Sequence, residues 1–363
     1  MKLKTLCFIL VSLCSTALLA VELDKNFIVL ATSDQQLISY KYSCDKERLM
    51  TFKWAVENPG IVQIHSVDSN TVLIKPIAVG DTNLYLISES NPAVNDKCRI
   101  LINEDGVVKI LAIGNSFSED AIENNLYDLA LAENIPTTIA NMYIAGCTIE
   151  RHRQNIDNNS AAYRYREIGE GGIMTETRDK SIDQALKEKK WDFISLQQAS
   201  GYSGQYATYC EDLAVILSHL KNHTLNSSVK YMIHATWAYA KNSSHAHFAF
   251  YNNSQEEMYE AIVNATSRAK YAHKIDLLIP SGTAIQNARS TTIDPYNDLC
   301  RDGYHLNETF GRFTAACTWF YTIFGVDVRN NSYKPKNITT QESIISKKAA
   351  YTAVSNPFFQ TKL

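Results

Sequence analysis

The chain lacks the marks of several protein classes. Its 8 cysteines contain no C-x-x-C pair, so neither a zinc ribbon nor a thioredoxin-type redox motif is present. No block of Lys and Arg stands out against a net charge of −3, which disfavours a nucleic-acid surface. Beyond the N-terminus no stretch is long and apolar enough to span a bilayer. There is no G-x-S-x-G elbow, so the α/β-hydrolase signature is unmet. No motif calls for a cofactor or a metal. His219 and His223 stand at helical spacing and His245 lies beside His247, but neither pair has a carboxylate or cysteine to complete a ligand set. They read as surface histidines.

What is present is ordinary globular composition, 45% hydrophobic and 20% charged, in 363 residues, a length that suits two domains. The N-terminus, "MKLKTLCFILVSLCSTALLAVEL", has Lys2 and Lys4, a short apolar run, and small residues up to Ala20. It reads as a secretory signal peptide over residues 1–20, which predicts a secreted or periplasmic protein. Lipoprotein attachment at Cys14 is the weaker alternative, because Leu13 stands where a small residue is wanted. In an oxidising compartment cysteines can pair. Cys44 and Cys98, in the same early region, are the candidate bridge.

Residues 21–105 show short runs of period-two alternation punctuated by turns such as Asn58-Pro59-Gly60, which predicts a small β-sandwich. Its wording, Trp54 followed by "ENPGIVQI" and "VGDTNLYL", resembles bacterial immunoglobulin-like domains. From residue 106 to 363 the rhythm changes. Buried strands "VVKILAIG", "TTIANMYIAG", "WDFISLQQ", "VKYMIHATW" and "IDLLIPSG" alternate with helical patterns, and a long loop follows the second strand. The pattern predicts an α/β domain with a flavodoxin-like parallel sheet, helices on both faces, and "ETFGRFTAACTWFYTIFG" as the last helix.

The strand "ILAIG" ends at Gly114 and presents Ser116 just beyond it, either as a helix cap or as a nucleophile. Near the far end, "RDGYHLNETFGR" sets Asp302 three residues before His305. A serine needs a base to take its proton, and a carboxylate on the other side of the imidazole fixes the tautomer. Ser, Asp and His fall at strand-end loops of one sheet, and their co-location is what favours the nucleophile.

"GNSFS" after a first strand, with "DGYHLN" before a late helix, resembles the SGNH (GDSL-like) hydrolases from about Val107 onward. "WDFISLQQASG" and "IPSGTAIQNAR" look like a branch found in polysaccharide-degrading gut bacteria. The resemblance implies a Ser116–His305–Asp302 triad and an oxyanion site formed by the Ser116 N–H, the loop glycine Gly146 and an amide side chain. Two residues depart from the pattern. Asn115 replaces the usual Asp, and the block that normally supplies an Asn is "LQQASG", which points to Gln198 or Ser200, with Gln197 as neighbour.

For substrate, Trp237 and Tyr239 in an aromatic loop suit stacking on sugar rings, and Arg151, His152 and Arg153 lie on the oxyanion side, where arginines can pair with uronates. The expected activity is that of an exported serine esterase. Its substrate would be a polysaccharide or oligosaccharide ester, an O-acetyl group or a uronate methyl ester. A lipid or aryl esterase on the same triad, and a glycan-binding protein that no longer turns over, are the alternatives.

Overall fold

The computed structural model describes residues 20–43, 50–294, 296 and 298–363. The expected leader up to residue 19 lies outside them, as does Cys44. The early alternating runs form β1 (Ala20–Leu23), β2 (Phe27–Ala31), β3 (Gln36–Ser43), β4 (Phe52–Val56), β5 (Val62–Ser66), β6 (Thr71–Pro76), β7 (Gly80–Ser88) and β8 (Asn95–Asn103). They make two four-stranded sheets, ordered β1-β3-β6-β5 and β2-β8-β7-β4. The period of two puts every second side chain inside, so that Ile38, Val72, Ile74, Leu84, Leu86 and Ile100 meet between the sheets. Cys98 is a free thiol in this core, and burial pushes it up to about 12.

The second part runs β9 (Val108–Gly114), α1 (Ser116–Ile122), α2 (Leu126–Ala132), β10 (Thr137–Tyr143), α3 (Ile149–Asp157), β11 (Tyr163–Ile168), β12 (Met174–Lys180) and α4 (Ile182–Glu188). It continues with β13 (Phe193–Leu196), α5 (Cys210–His223), β14 (Lys230–His234), α6 (Gln255–Ala272), β15 (Leu277–Ile279), α7 (Ser281–Arg289), α8 (Phe310–Phe324) and α9 (Thr340–Ser355). Seven strands form one sheet in the order β12-β11-β10-β9-β13-β14-β15. The five from β10 to β15 are parallel, in the flavodoxin-like arrangement. Alternate strand residues face opposite cores. Ile110 and Ala112 pack with α1, α2, α7, α8 and α9, while Leu111 and Ile113 pack with α3, α4 and α5.

Three features differ from the sequence pattern. The expected long loop after β10 contains α3 and the antiparallel hairpin β11–β12. β12, "MTETRDK", is exposed along almost its whole length and carries charge on both faces, so it shows no hydrophobic alternation. The first helical pattern breaks into α1 and α2, and α8 is followed by α9.

The sandwich docks on the α/β part through Phe27, whose ring meets Phe324 at 5.3 Å, and through Arg99, which joins Asp81 to the Ile323 carbonyl. Among the described residues no helix is long and apolar enough to cross a membrane.

Candidate active site

Parallel strands bring their C-terminal ends to one edge, and the chain leaves each end in a loop. β9 ends at Gly114, where an added Cβ would lie 2.6 Å from Ser118 Oγ and would force the Ser118 side chain to shift. Asn115 then caps α1, accepting from the Phe117 N–H at 3.0 Å. Asn115 is therefore the cap, and the Ser116 hydroxyl is free for other work. His305 Nε2 lies 2.8 Å from Ser116 Oγ, and His305 Nδ1 lies 2.7 Å from Asp302 Oδ2. With Nδ1–H donating to the carboxylate, Nε2 is left with a lone pair facing the serine. Burial raises the Asp302 carboxyl, but hydrogen bonds from the His305 ring and from the His305 and Tyr304 N–H groups outweigh it and hold the pKa below the usual carboxylate value.

The Asp302–His305 loop is a tight turn closed by the Cys300–Leu306 bridge and by Arg301 N–H donating to the His305 carbonyl at 2.9 Å. It reaches α1 through Asp120, one helical turn beyond Ser116. The fully buried Asp120 carboxylate accepts from Arg301 Nη1 at 3.0 Å, Arg312 Nε at 2.8 Å and Leu306 N–H at 2.9 Å. One side chain thus ties the helix of the serine to both ends of the histidine's turn. Sequence reading missed it, although an Asp four residues after Ser116 and an Arg beside Asp302 were its signals.

Gly146 lies in the turn after β10 with φ +61°, a left-handed conformation suited to glycine. Asn115 Nδ2 donates to the Cys147 carbonyl at 3.0 Å, and Ile144 N–H to the Gly114 carbonyl at 3.3 Å, so this turn is fastened beside Ser116. An aspartate at position 115 could not make the first of these bonds. Among the described residues neither the Ser116 N–H nor the Gly146 N–H has an acceptor.

Gln198 is not available as an oxyanion donor. Its Nε2 gives both hydrogens to Thr208, at 3.1 Å to the carbonyl and 3.0 Å to Oγ1, while Oε1 accepts from the Ile149 and Ala199 N–H groups. Gln197 is equally committed: it donates to Asn115 Oδ1 at 2.6 Å and accepts from His234 Nδ1 at 2.8 Å. His234 Nε2 then accepts from Ser281 Oγ at 2.9 Å, and burial lowers this histidine to about 3. The Ser200 hydroxyl meets Tyr239 OH at 2.9 Å.

Of the substrate candidates, several are structural. Trp237 is buried, stacks on Phe117 at 4.4 Å and donates to the Tyr304 carbonyl at 2.7 Å, so it backs the turn instead of facing solvent. Tyr239 is buried as well. His152 is wholly buried and stacks on Tyr163, with Nδ1 2.9 Å from the Tyr163 hydroxyl, and burial lowers it to about 3. Arg153 pairs with Asp157 and Asp212 along the α3–α5 seam. Arg151 is exposed in the first turn of α3, close in sequence to Gly146, and makes no ion pair among the described residues. Phe250, from the same aromatic loop as Trp237 and Tyr239, does stand outside the site, in a row of rings whose members Tyr304 and Tyr202 the sequence did not single out. Tyr304 packs on His305 at 4.2 Å, His245 on Tyr304 at 4.9 Å, His247 on His245 at 5.2 Å, and His247 on both Phe250 and Tyr202 at 4.9 Å. Phe250 is 51% exposed.

A cleft of about 1140 Å³ lies at the other end of the sheet, lined by Val107, Pro136, Lys190 and Asn226 at the starts of strands. It plays no part in this site.

The DUF4886 family, described as a domain of unknown function, matches residues 109–353. No curated protein matches the chain. A DUF4886 protein from Bacteroides uniformis, solved by crystallography, is 45% identical and superposes with a TM-score of 0.69, over 71% of this chain and 98% of its own. A candidate SGNH hydrolase from Slackia heliotrinireducens aligns at 20% identity and TM-score 0.41 over 60% of this chain and 98% of its own. An acetyl-xylooligosaccharide esterase from Geobacillus aligns at 10% identity and TM-score 0.38 over 59% of this chain and 93% of its own. At these last two levels the likeness says nothing about the reaction.

Proposed function

Since the chain belongs to the DUF4886 family, whose function is unknown, we propose an activity from the site itself: a serine esterase of SGNH type acting on carbohydrate esters. The observation that carries it is the unbroken relay from Ser116 Oγ to His305 Nε2 at 2.8 Å and from His305 Nδ1 to Asp302 at 2.7 Å. His305 takes the Ser116 proton as Oγ attacks the ester carbonyl. Charge gathers on the carbonyl oxygen, and the Ser116 and Gly146 N–H groups are the donors for it. His305 then gives its proton to the leaving alcohol, which breaks the ester bond and leaves an acyl-serine. Water, deprotonated by the same histidine, releases the acid and restores the serine.

The sugar part of the reading is supported by the Tyr304, His245, His247, Tyr202 and Phe250 rings running outward from His305, and by the exposed Arg151 in the first turn of the helix that follows Gly146. Aromatic faces are apolar and suit the C–H faces of pyranose rings, while hydroxyls stay wet at the rim. Export through the N-terminal leader, and a spacer or binding role for the immunoglobulin-like sandwich, complete the proposal.

The test is Ser116→Ala, purified and folded, on a chromogenic acetate and on acetylated and methyl-esterified polysaccharides. Turnover should disappear on all of them. Retained turnover would overturn the mechanism.

A further inference from the structure

α4 and α5 pack on the sheet face opposite α1, and where they meet three metal-ligating side chains converge. His219 and His223 lie one turn apart in the last turns of α5, and Asp183 lies in the first turn of α4. His219 Nε2 is 2.5 Å from Asp183 Oδ1, the two imidazole rings lie 4.0 Å apart and nearly parallel, and one ligand atom from each residue falls within 4.8 Å of the others. The carboxylate that the sequence pattern did not supply comes from another helix.

We propose that Asp183, His219 and His223 form a surface site for a divalent transition cation of the Zn²⁺ class. The hydrogen bonding of His223 is the first reason. Its Nδ1 lies 2.8 Å from the His219 carbonyl, an acceptor only, so Nδ1 carries the hydrogen and Nε2 keeps its lone pair. A backbone carbonyl holding one ring nitrogen is how metal-binding histidines are commonly oriented. The second reason is that the ion pair between His219 and Asp183 does not account for His223. One cation draws on a nitrogen of each ring together with the carboxylate, because a ligand atom of each of the three residues already lies within 4.8 Å of the other two. Two imidazole nitrogens and one carboxylate oxygen suit Zn²⁺, Ni²⁺ or Cu²⁺, and not Mg²⁺ or Ca²⁺, which prefer all-oxygen sets. The cation would take the place of the hydrogen between His219 Nε2 and Asp183 Oδ1, and those atoms would part to about 3.4 Å, the separation set by metal–ligand bonds of roughly 2.0–2.2 Å in a tetrahedron. His223 is exposed, so water completes the coordination.

Bound there, the cation clips the start of α4 to the end of α5. Because α1 and Ser116 belong to the other face, it stabilises the fold and leaves turnover unchanged.

The experiment uses the full chain, stripped with a chelator and titrated with Zn²⁺ by calorimetry and by thermal melting, with Co²⁺ as a spectroscopic probe. We expect one equivalent bound at this site, a higher melting temperature, and a tetrahedral Co²⁺ spectrum. His223→Ala and Asp183→Asn, both at accessible positions, should each weaken binding at least tenfold and abolish the Co²⁺ spectrum. His245→Ala, at the other histidine pair, should leave all three readouts intact. Failure of the wild-type chain to bind Zn²⁺, or equal binding by His223→Ala with unchanged circular dichroism, would overturn the site. Neither result bears on the esterase reading, because hydrolysis is not the readout.

Discussion

Replacing Asp120 with asparagine tests whether the distance between serine and histidine is set by a buried clamp. In the native site Oδ1 accepts from Arg301 and Arg312, and Oδ2 from Leu306 N–H and Arg301. An asparagine keeps one acceptor and turns the other into a donor. If its oxygen stays with the guanidiniums, its NH₂ faces the Leu306 N–H, and that buried donor is left without an acceptor. If it flips, the NH₂ faces Arg312. Breaking a buried ion pair by removing one partner costs about 3–5 kcal/mol. Arg301 retains 32% side-chain exposure and Arg312 13%, so solvent recovers part of the loss and we take the lower end, about 3 kcal/mol. With an unfolding entropy of about 2.1 cal/mol/K per residue, that is a fall in Tm of roughly 4 °C for a chain of this size. Donor facing donor also pushes the Leu306 end of the turn outward and carries His305 from Ser116. A misplacement of about 1 Å costs on the order of 10² in rate. Asp120→Asn should therefore lower kcat about a hundredfold on a chromogenic acetate with KM little changed, alongside the lower Tm by scanning fluorimetry. A variant with native Tm and native kcat would refute the clamp. One with lowered Tm and unchanged kcat would make Asp120 structural only.

Asp302→Asn should reduce kcat/KM by roughly 10⁴-fold, since the imidazole loses the acceptor that fixes its tautomer, and a rate within tenfold of wild type would place the acid partner elsewhere. Because hydrogen bonds hold the Asp302 carboxyl below the usual carboxylate range, it stays ionised where an imidazole takes up its proton. The acid limb of kcat/KM should accordingly follow a single histidine, and a second group titrating between pH 4 and 5 would contradict the assignment. Gln197→Ala leaves the His234 Nδ1–H without its acceptor and Asn115 without one donor, so stability should fall by about 1–3 kcal/mol in denaturant melts, whereas an unchanged midpoint would mean that water replaces the amide. His152 and His234 are buried neutral, with pKa lowered to about 3, so the unfolded chain binds more protons than the folded one between that value and about 6.5. Stability from these two residues is complete above about pH 6.5 and is lost as pH falls toward 3, and a melting temperature flat from pH 7 to 4 would show that they are hydrated in the folded state.

Local pattern carried a great deal. Strand period, helical period and the Gly114 break made the α/β order and the serine legible, because burial imposes a repeat of two or of about 3.6 on the residues themselves. Asp302 and His305, three apart in one turn, could be read as a pair for the same reason: their geometry is local. An exposed edge strand escaped. β12 is joined to β11 by a backbone ladder, with ion pairs such as Arg166–Glu176 at 3.1 Å on its exposed side chains, and neither leaves a hydrophobic period in its residues. Residue roles depending on long-range contact were also beyond local pattern. Gln198 and Gln197 are adjacent amides, but neighbouring strand positions face opposite ways, and which amide is spent on Thr208 and which on Asn115 depends on the loops that arrive beside them. Trp237 read as a sugar platform until Phe117 packed against it. By itself the sequence determined the class of fold, which follows from short-range periodicity, and brought Ser116 and the Asp302–His305 pair forward as candidates through their residue chemistry and position. Only the tertiary structure decided which face each side chain turns to, which donors remain unspent for an oxyanion, and that Asp120 and Asp183 meet partners from distant helices and turns, because a hydrogen bond or ligand set is defined by positions within about 3 Å in space and not by separation along the chain.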